Sequence, residues 1–100
     1  MATYIEGLIE RARTAQEAFA NADQETVDRA AELICWRGID PGFAQQLSDL
    51  AVEESRMGDV PSKYAKMMNK VRGAWLEMKG QKSVGIIEED SALGLVKIAK

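Results

Sequence analysis

One hundred residues make one small domain, or a piece of a larger one. A 46% hydrophobic share is ordinary for a folded globular chain, and a net charge of −3 gives no overall pull towards nucleic acid or an anionic membrane. One cysteine, Cys35, excludes an intrachain disulfide and suits a reducing cytoplasm, while the absence of histidine removes the most versatile general base and the commonest metal ligand.

The opening "MATYIEGLIERAR" sets acids among its apolar residues and does not read as a signal peptide. Thr3 with Glu6 three residues on forms a capping box. Ile5, Leu8, Ile9, Ala12, Ala15 and Phe19 then recur at helical spacing, predicting an amphipathic helix over about 4–20. "NAD" (Asn21–Asp23) interrupts it and can cap a second helix over about 24–37. Val27, Ala30, Ala31 and Ile34 make the stripe of that helix, and Gly38 fits a left-handed residue just past its end. In "DPGF", Asp40 is an N-cap and Pro41 the first helical position of a third helix. Phe43, Leu47, Leu50 and Ala51 continue it until Gly58.

Ser62 reads as the N-cap of a fourth helix with the clearest period, Tyr64, Met67, Met68, Val71, Trp75 and Met78, ended by Gly80. Gly73 inside it should weaken the helix by about 1 kcal/mol relative to alanine, and a close packing neighbour is one reason for it to be there. After Gly80 the texture changes. "SVGIIEEDSALGLVKIAK" predicts a hairpin with strands at about 83–88 and 93–99 and a turn near 89–92. The fold expected is therefore mostly α with a C-terminal β-hairpin, a helical segment over 1–82 followed by a hairpin over 83–100. A lone two-stranded hairpin is marginal in water and leaves two unpaired edges. Its apolar residues Val84, Ile86, Leu95, Val96 and Ile98 form a candidate assembly interface, and the segment reads as cut from something larger or completed by a partner.

Chemistry-bearing residues are sparse. Cys35 lies in a helix beside Ile34 and Trp36 with no histidine to activate it, and reads as a small, partly buried side chain. Glu53 and Glu54 are adjacent on a helix, about 100° apart, and cannot converge on one reacting atom. Charge is uneven: residues 62–82 hold six basic and one acidic side chain, whereas 1–61 hold five basic and twelve acidic. Lys63, Lys66 and Lys70 follow an i, i+3, i+7 spacing and should share a face, with Arg72 nearby. That face could hold an anion, but the lysines read more simply as the solvated flank of the Met67–Val71–Trp75 stripe. Only Tyr64 accompanies them, so no base-stacking surface for nucleic acid is indicated. The methionine-rich stripe could serve as a peptide groove and reads more simply as core. Neither G-x-G-x-x-G nor G-x-x-x-x-G-K-[ST] occurs. No catalytic, cofactor-binding or metal-binding residue is assigned, and no stretch approaches the roughly 20 apolar residues of a membrane span.

Taken in order, "LIERARTAQEAFANADQETVDRAAELICW", "LAVEESRMGDVPSKYAKMMNKVRGAW" and "KSVGIIEEDSALGLVKIAK" resemble the start of the aldehyde dehydrogenase superfamily. Nearest in pattern are its coenzyme A-acylating members, including the sulfoacetaldehyde type. The resemblance covers nearly the whole chain but only about the first fifth of such an enzyme. It implies helices that pack on a nucleotide-binding domain, then strands of a projecting sheet used in assembling a homo-oligomer. It further implies NAD(P) and coenzyme A for the parent enzyme, whose catalytic cysteine lies far downstream in a separate domain. The role of that nucleophile is not carried onto Cys35. The expectation is an N-terminal scaffold and assembly segment of an NAD(P)-dependent aldehyde dehydrogenase, inactive alone. The alternative is a stand-alone interaction module using its hairpin edge or its lysine face.

Overall fold

The computed structural model describes residues 3–99. Its first helix, α1 (Tyr4–Phe19), starts at the capping box read from the sequence: Glu6 N donates to Thr3 Oγ1 at 3.2 Å and Thr3 N to Glu6 Oε2 at 2.6 Å. Helix α2 (Gln24–Gly38) is capped by Asp23, whose Oδ1 accepts from Thr26 N at 2.8 Å. Helix α3 (Pro41–Ser55) is capped by Asp40, with Pro41 in its first turn. All three starts have one cause, a side-chain oxygen satisfying an N–H that the helix leaves free.

The next rod begins earlier than expected. Asp59, not Ser62, is the N-cap, and Asp59 Oδ1 accepts from Ser62 N at 2.9 Å. Ser62 therefore lies within α4 (Val60–Lys66), and Pro61 occupies the first turn, where no N–H is needed. A π-helical turn comes next (Met67–Val71), then α5 (Arg72–Met78), so the expected fourth helix is one rod carrying a widened turn. Gly80, with φ 83°, lies just past its end, as read. Gly58 does not stop α3. That helix ends at Ser55, and Arg56 takes the left-handed conformation at φ 54°.

Two readings of glycine reverse. Gly38 is the last helical residue of α2, buried, and not in the left-handed region. A Cβ there would lie 3.1 Å from Val71 Cγ1, so its bareness lets α2 and the π turn approach closely. Gly73 has nothing within 4 Å of where a Cβ would be, so the close neighbour suggested for it is absent.

Strand β1 (Ile86–Asp90) pairs antiparallel with β2 (Leu95–Ile98). Ile86 faces Ile98, Glu88 faces Lys97, Glu89 faces Val96 and Asp90 faces Leu95, with a bulge at Ile87. The turn is thus 91–94 rather than 89–92, and the first strand starts three residues later than expected. Asp90 Oδ1 accepts from Ala92 N and Leu93 N, both at 3.1 Å. Gly94, at φ 66°, supplies the left-handed residue that returns the chain.

Packing is confined to α2, α3 and the α4–π–α5 rod. Its centre is built of small residues: Ala44 is 0% and Ser48 2% exposed, with Gly38 beside them in burial. Ser48 Oγ donates to Ala44 O at 2.7 Å, which satisfies the buried hydroxyl. The apolar stripe expected on α3 is therefore displaced. Leu47 and Leu50 are exposed, and the close-packed face runs through Ala44, Ser48 and half-buried Ala51. On α2, Val27, Ala30 and Ala31 are half-buried as expected, but Ile34 is 72% exposed. Among the described residues, neither α1 nor the hairpin packs against another element.

Candidate functional site

The residues singled out for chemistry do not converge. Cys35 is a free thiol inside α2, partly buried as expected. Glu53 and Glu54 are exposed on the last turns of α3. No group of three His, Cys, Asp or Glu able to hold a metal is found among the described residues.

Two of the three lysines read as sharing a face border one groove. Lys63 and Lys66 border a groove of about 250 Å³ with Leu47, Ser48, Ala51 and Met67, whereas Lys70 sits in the π turn and does not line it. Lys63 also faces the capping end of its own helix. The Ser62 backbone N–H, with Lys63 nearby, holds the Asp59 carboxyl below the usual carboxylate range. The two ion pairs among the described residues both use arginine, Arg29–Glu32 at 3.1 Å and Arg37–Asp40 at 4.0 Å. Arg37 also lies over the Phe43 ring, 4.3 Å from its centroid, and so clamps the corner between α2 and α3.

The hairpin offers the clearest unfinished surface. In its two-stranded sheet both outer edges carry unpaired backbone groups. Directly paired residues share a face, and faces alternate along a strand. One face thus carries Ile86, Glu89, Val96 and Ile98; the other carries Glu88, Asp90, Leu95 and Lys97. The five candidate interface residues are not one patch. Ile86, Val96 and Ile98 are exposed together, Leu95 points from the opposite face, and half-buried Val84 precedes the strand.

One functional contact escaped the sequence. Gln24 Oε1 accepts from Ser83 N at 2.8 Å and Val84 N at 3.0 Å, and Gln24 Nε2 donates to Ser83 Oγ at 2.9 Å. The start of α2 therefore holds the segment leading into the hairpin. A glutamine in a first helical turn is unremarkable by itself, and no local pattern signals a partner 59 residues away.

These residues do not fit a nicotinamide cofactor or coenzyme A. No glycine-rich loop leads into a helix, and the lysine groove has an apolar floor with no phosphate cradle.

Comparison with known proteins gives the context. No family model matches the chain, and no solved structure does. The chain is 36% identical over 96 residues to sulfoacetaldehyde dehydrogenase (acylating) of Cupriavidus necator, spanning 96% of this chain and 20% of that protein. It is 39% identical over 92 residues to a sulfoacetaldehyde dehydrogenase of an Acholeplasma species, spanning 92% of this chain and 19% of that protein. To succinate-semialdehyde dehydrogenase (acetylating) of Clostridium kluyveri it is 36% identical over 96 residues, spanning 96% and 21%. The chain spans about a fifth of the length of each of these three relatives. Its resemblance to the N-terminal region of coenzyme A-acylating aldehyde dehydrogenases holds over nearly its whole length.

Proposed function

We propose that the chain is the N-terminal scaffold and assembly region of an NAD(P)-dependent, coenzyme A-acylating aldehyde dehydrogenase of the cytoplasm, and performs no chemistry alone. The observation that carries this reading is a match over 96% of the chain to about a fifth of an acylating enzyme. The helical segment, residues 1–82, lies against neighbouring parts of the enzyme and covers its apolar faces there. The hairpin segment, residues 83–100, adds its strands to a sheet between subunits of a homo-oligomer, with Ile86, Val96 and Ile98 on the covered face and both strand edges available for pairing. NAD(P), coenzyme A and the catalytic cysteine lie in the rest of such an enzyme.

Two measurements test the proposal. The isolated chain should transfer no hydride from an aldehyde to NAD or NADP in the presence of coenzyme A, and turnover would overturn the scaffold reading. An acylating relative lacking the matching region should regain assembly and activity when this chain is supplied in trans. Failure of both to return, with the chain folded, would overturn it too.

The second reading, a stand-alone interaction module, is favoured by the Lys63–Lys66 groove. It requires affinity for an anionic partner that falls steeply with salt and is lost in Lys63→Gln/Lys66→Gln.

A further inference from the structure

Among the described residues the hairpin packs on no helix, yet its approach is not free. Four hydrogen bonds centre on one side chain. Gln24 Oε1 accepts from the backbone N–H groups of Ser83 and Val84, and Gln24 Nε2 donates to Ser83 Oγ and, at 2.8 Å, to Asp28 Oδ1. An amide has two donor hydrogens and two acceptor lone pairs, so this one is fully used. Its orientation is dictated as well. Backbone N–H groups only donate, so the oxygen must face Ser83 and Val84; an ionised carboxylate only accepts, so the nitrogen must face Asp28.

The held residues sit at the decisive place. Val84 is followed by Gly85, at φ 71°, and then by β1. Gly85 O accepts from Ala99 N at 2.8 Å, so the ladder begins one residue beyond the anchored pair. Fixing two consecutive amides on the rigid start of α2 fixes the direction in which the strands leave.

We infer that Gln24 is a positioning residue that sets the direction of the hairpin relative to the helices, with Asp28 holding its amide in the required orientation. The inference rests on the assembly reading of the hairpin for its purpose: a strand edge pairs with a partner strand only when presented at the right angle and depth. A tether at residues 79–85 without this anchor would leave the edge sweeping a wide cone.

The test uses the 100-residue chain and the substitution Gln24→Met, which keeps length and helix compatibility while removing every hydrogen bond. Amide exchange at Ser83 and Val84 should accelerate at least tenfold. Spin labels at Arg29→Cys and Ser91→Cys, in a Cys35→Ala background, should give a distance distribution at least twice as wide, with helical content unchanged. The double substitution Gln24→Glu/Asp28→Asn should restore both, because the new carboxylate accepts from the two amides and the asparagine introduced by Asp28→Asn donates to it. Unchanged exchange and distances in Gln24→Met, or no rescue by the pair, would overturn the inference. Light scattering of the same proteins reads assembly separately. In an Ile9→Glu background, which removes the contribution of α1, association that persists undiminished when the hairpin is loosened counts against the assembly purpose, whereas exchange and distances alone decide the positioning role.

Discussion

Gly38 and Gly73 are both helical glycines, and what stands opposite each missing Cβ makes them opposites. At Gly73 the space is open, so Gly73→Ala should stabilise the chain by about 1 kcal/mol through helix propensity alone. At Gly38 the Val71 side chain already occupies the approach, and Gly38→Val should destabilise by about 1–3 kcal/mol through overpacking. Urea melts of helical signal check both, and the same sign at both positions would contradict the geometry. Asp40 combines an N-cap with the Arg37 contact, and its N-cap bond to Phe43 N at 2.9 Å should dominate. Asp40→Ala is expected to cost about 1 kcal/mol in the same melts, with Asp40→Asn close to neutral because asparagine caps as well. Asp40 was legible in the sequence because a cap and its N–H lie three residues apart. The contrast between the glycines was not, because Val71 is far from Gly38 along the chain and nothing local to either reveals the meeting.

At the scale of elements, helix starts were readable and stops less so. Starts are marked by side chains with a defined job, as at Thr3, Asp23 and Asp40. At α4 two nearby candidates competed, Asp59 and Ser62, and Asp59 is the cap, its Oδ1 accepting from Ser62 N, with Pro61 accommodated in the first turn. The Asp59 carboxyl is held below its ordinary value of 3.8 by the Ser62 N–H, the Ser62 side chain and Lys63. A folded pKa below the unfolded one means that the cap stabilises fully above about the unfolded value, and that its contribution is lost as pH falls through the lower folded value. The Ser62 amide resonance should therefore shift on acidification below that 3.8 value and stay flat in Asp59→Asn. The same titration in the variant would show another group to be responsible. The hairpin turn was misplaced because "EEDS" looks polar enough to turn. In the fold the acids stay in the strand, and Asp90 instead caps the loop after it.

For the molecule as a whole, the radius of gyration is 18.3 Å, with extents of 53 × 44 × 22 Å. A compact chain of this length would have a radius of about 13 Å. The excess comes from α1 and the hairpin, which extend away from the packed centre with Ile5, Ile9, Phe19, Ile86 and Ile98 exposed. Small-angle scattering from the monomeric chain should give a radius near 18.3 Å, and a value near about 13 Å would mean that both elements fold back. Exposed apolar faces of this kind call for cover, so the chain should bind a hydrophobic dye and associate as concentration rises. Both effects should fall with Ile9→Glu, which leaves helical content unchanged.

Local features of the sequence determined the helices, most of their N-caps and the presence of a hairpin, because periodicity and capping act within a few residues; the resemblance to acylating aldehyde dehydrogenases rests instead on the order of residues over nearly the whole chain. Only the tertiary structure decided which faces pack. It chose the small-residue path through Gly38, Ala44 and Ser48 over the larger stripe of Leu47 and Leu50. Close helix approach depends on what stands opposite, and hydrophobicity along one helix does not report its neighbour. It also decided that Lys63 and Lys66 border a groove with α3 and that Gln24 holds the hairpin's approach, since both depend on residues brought together by the fold rather than by the chain.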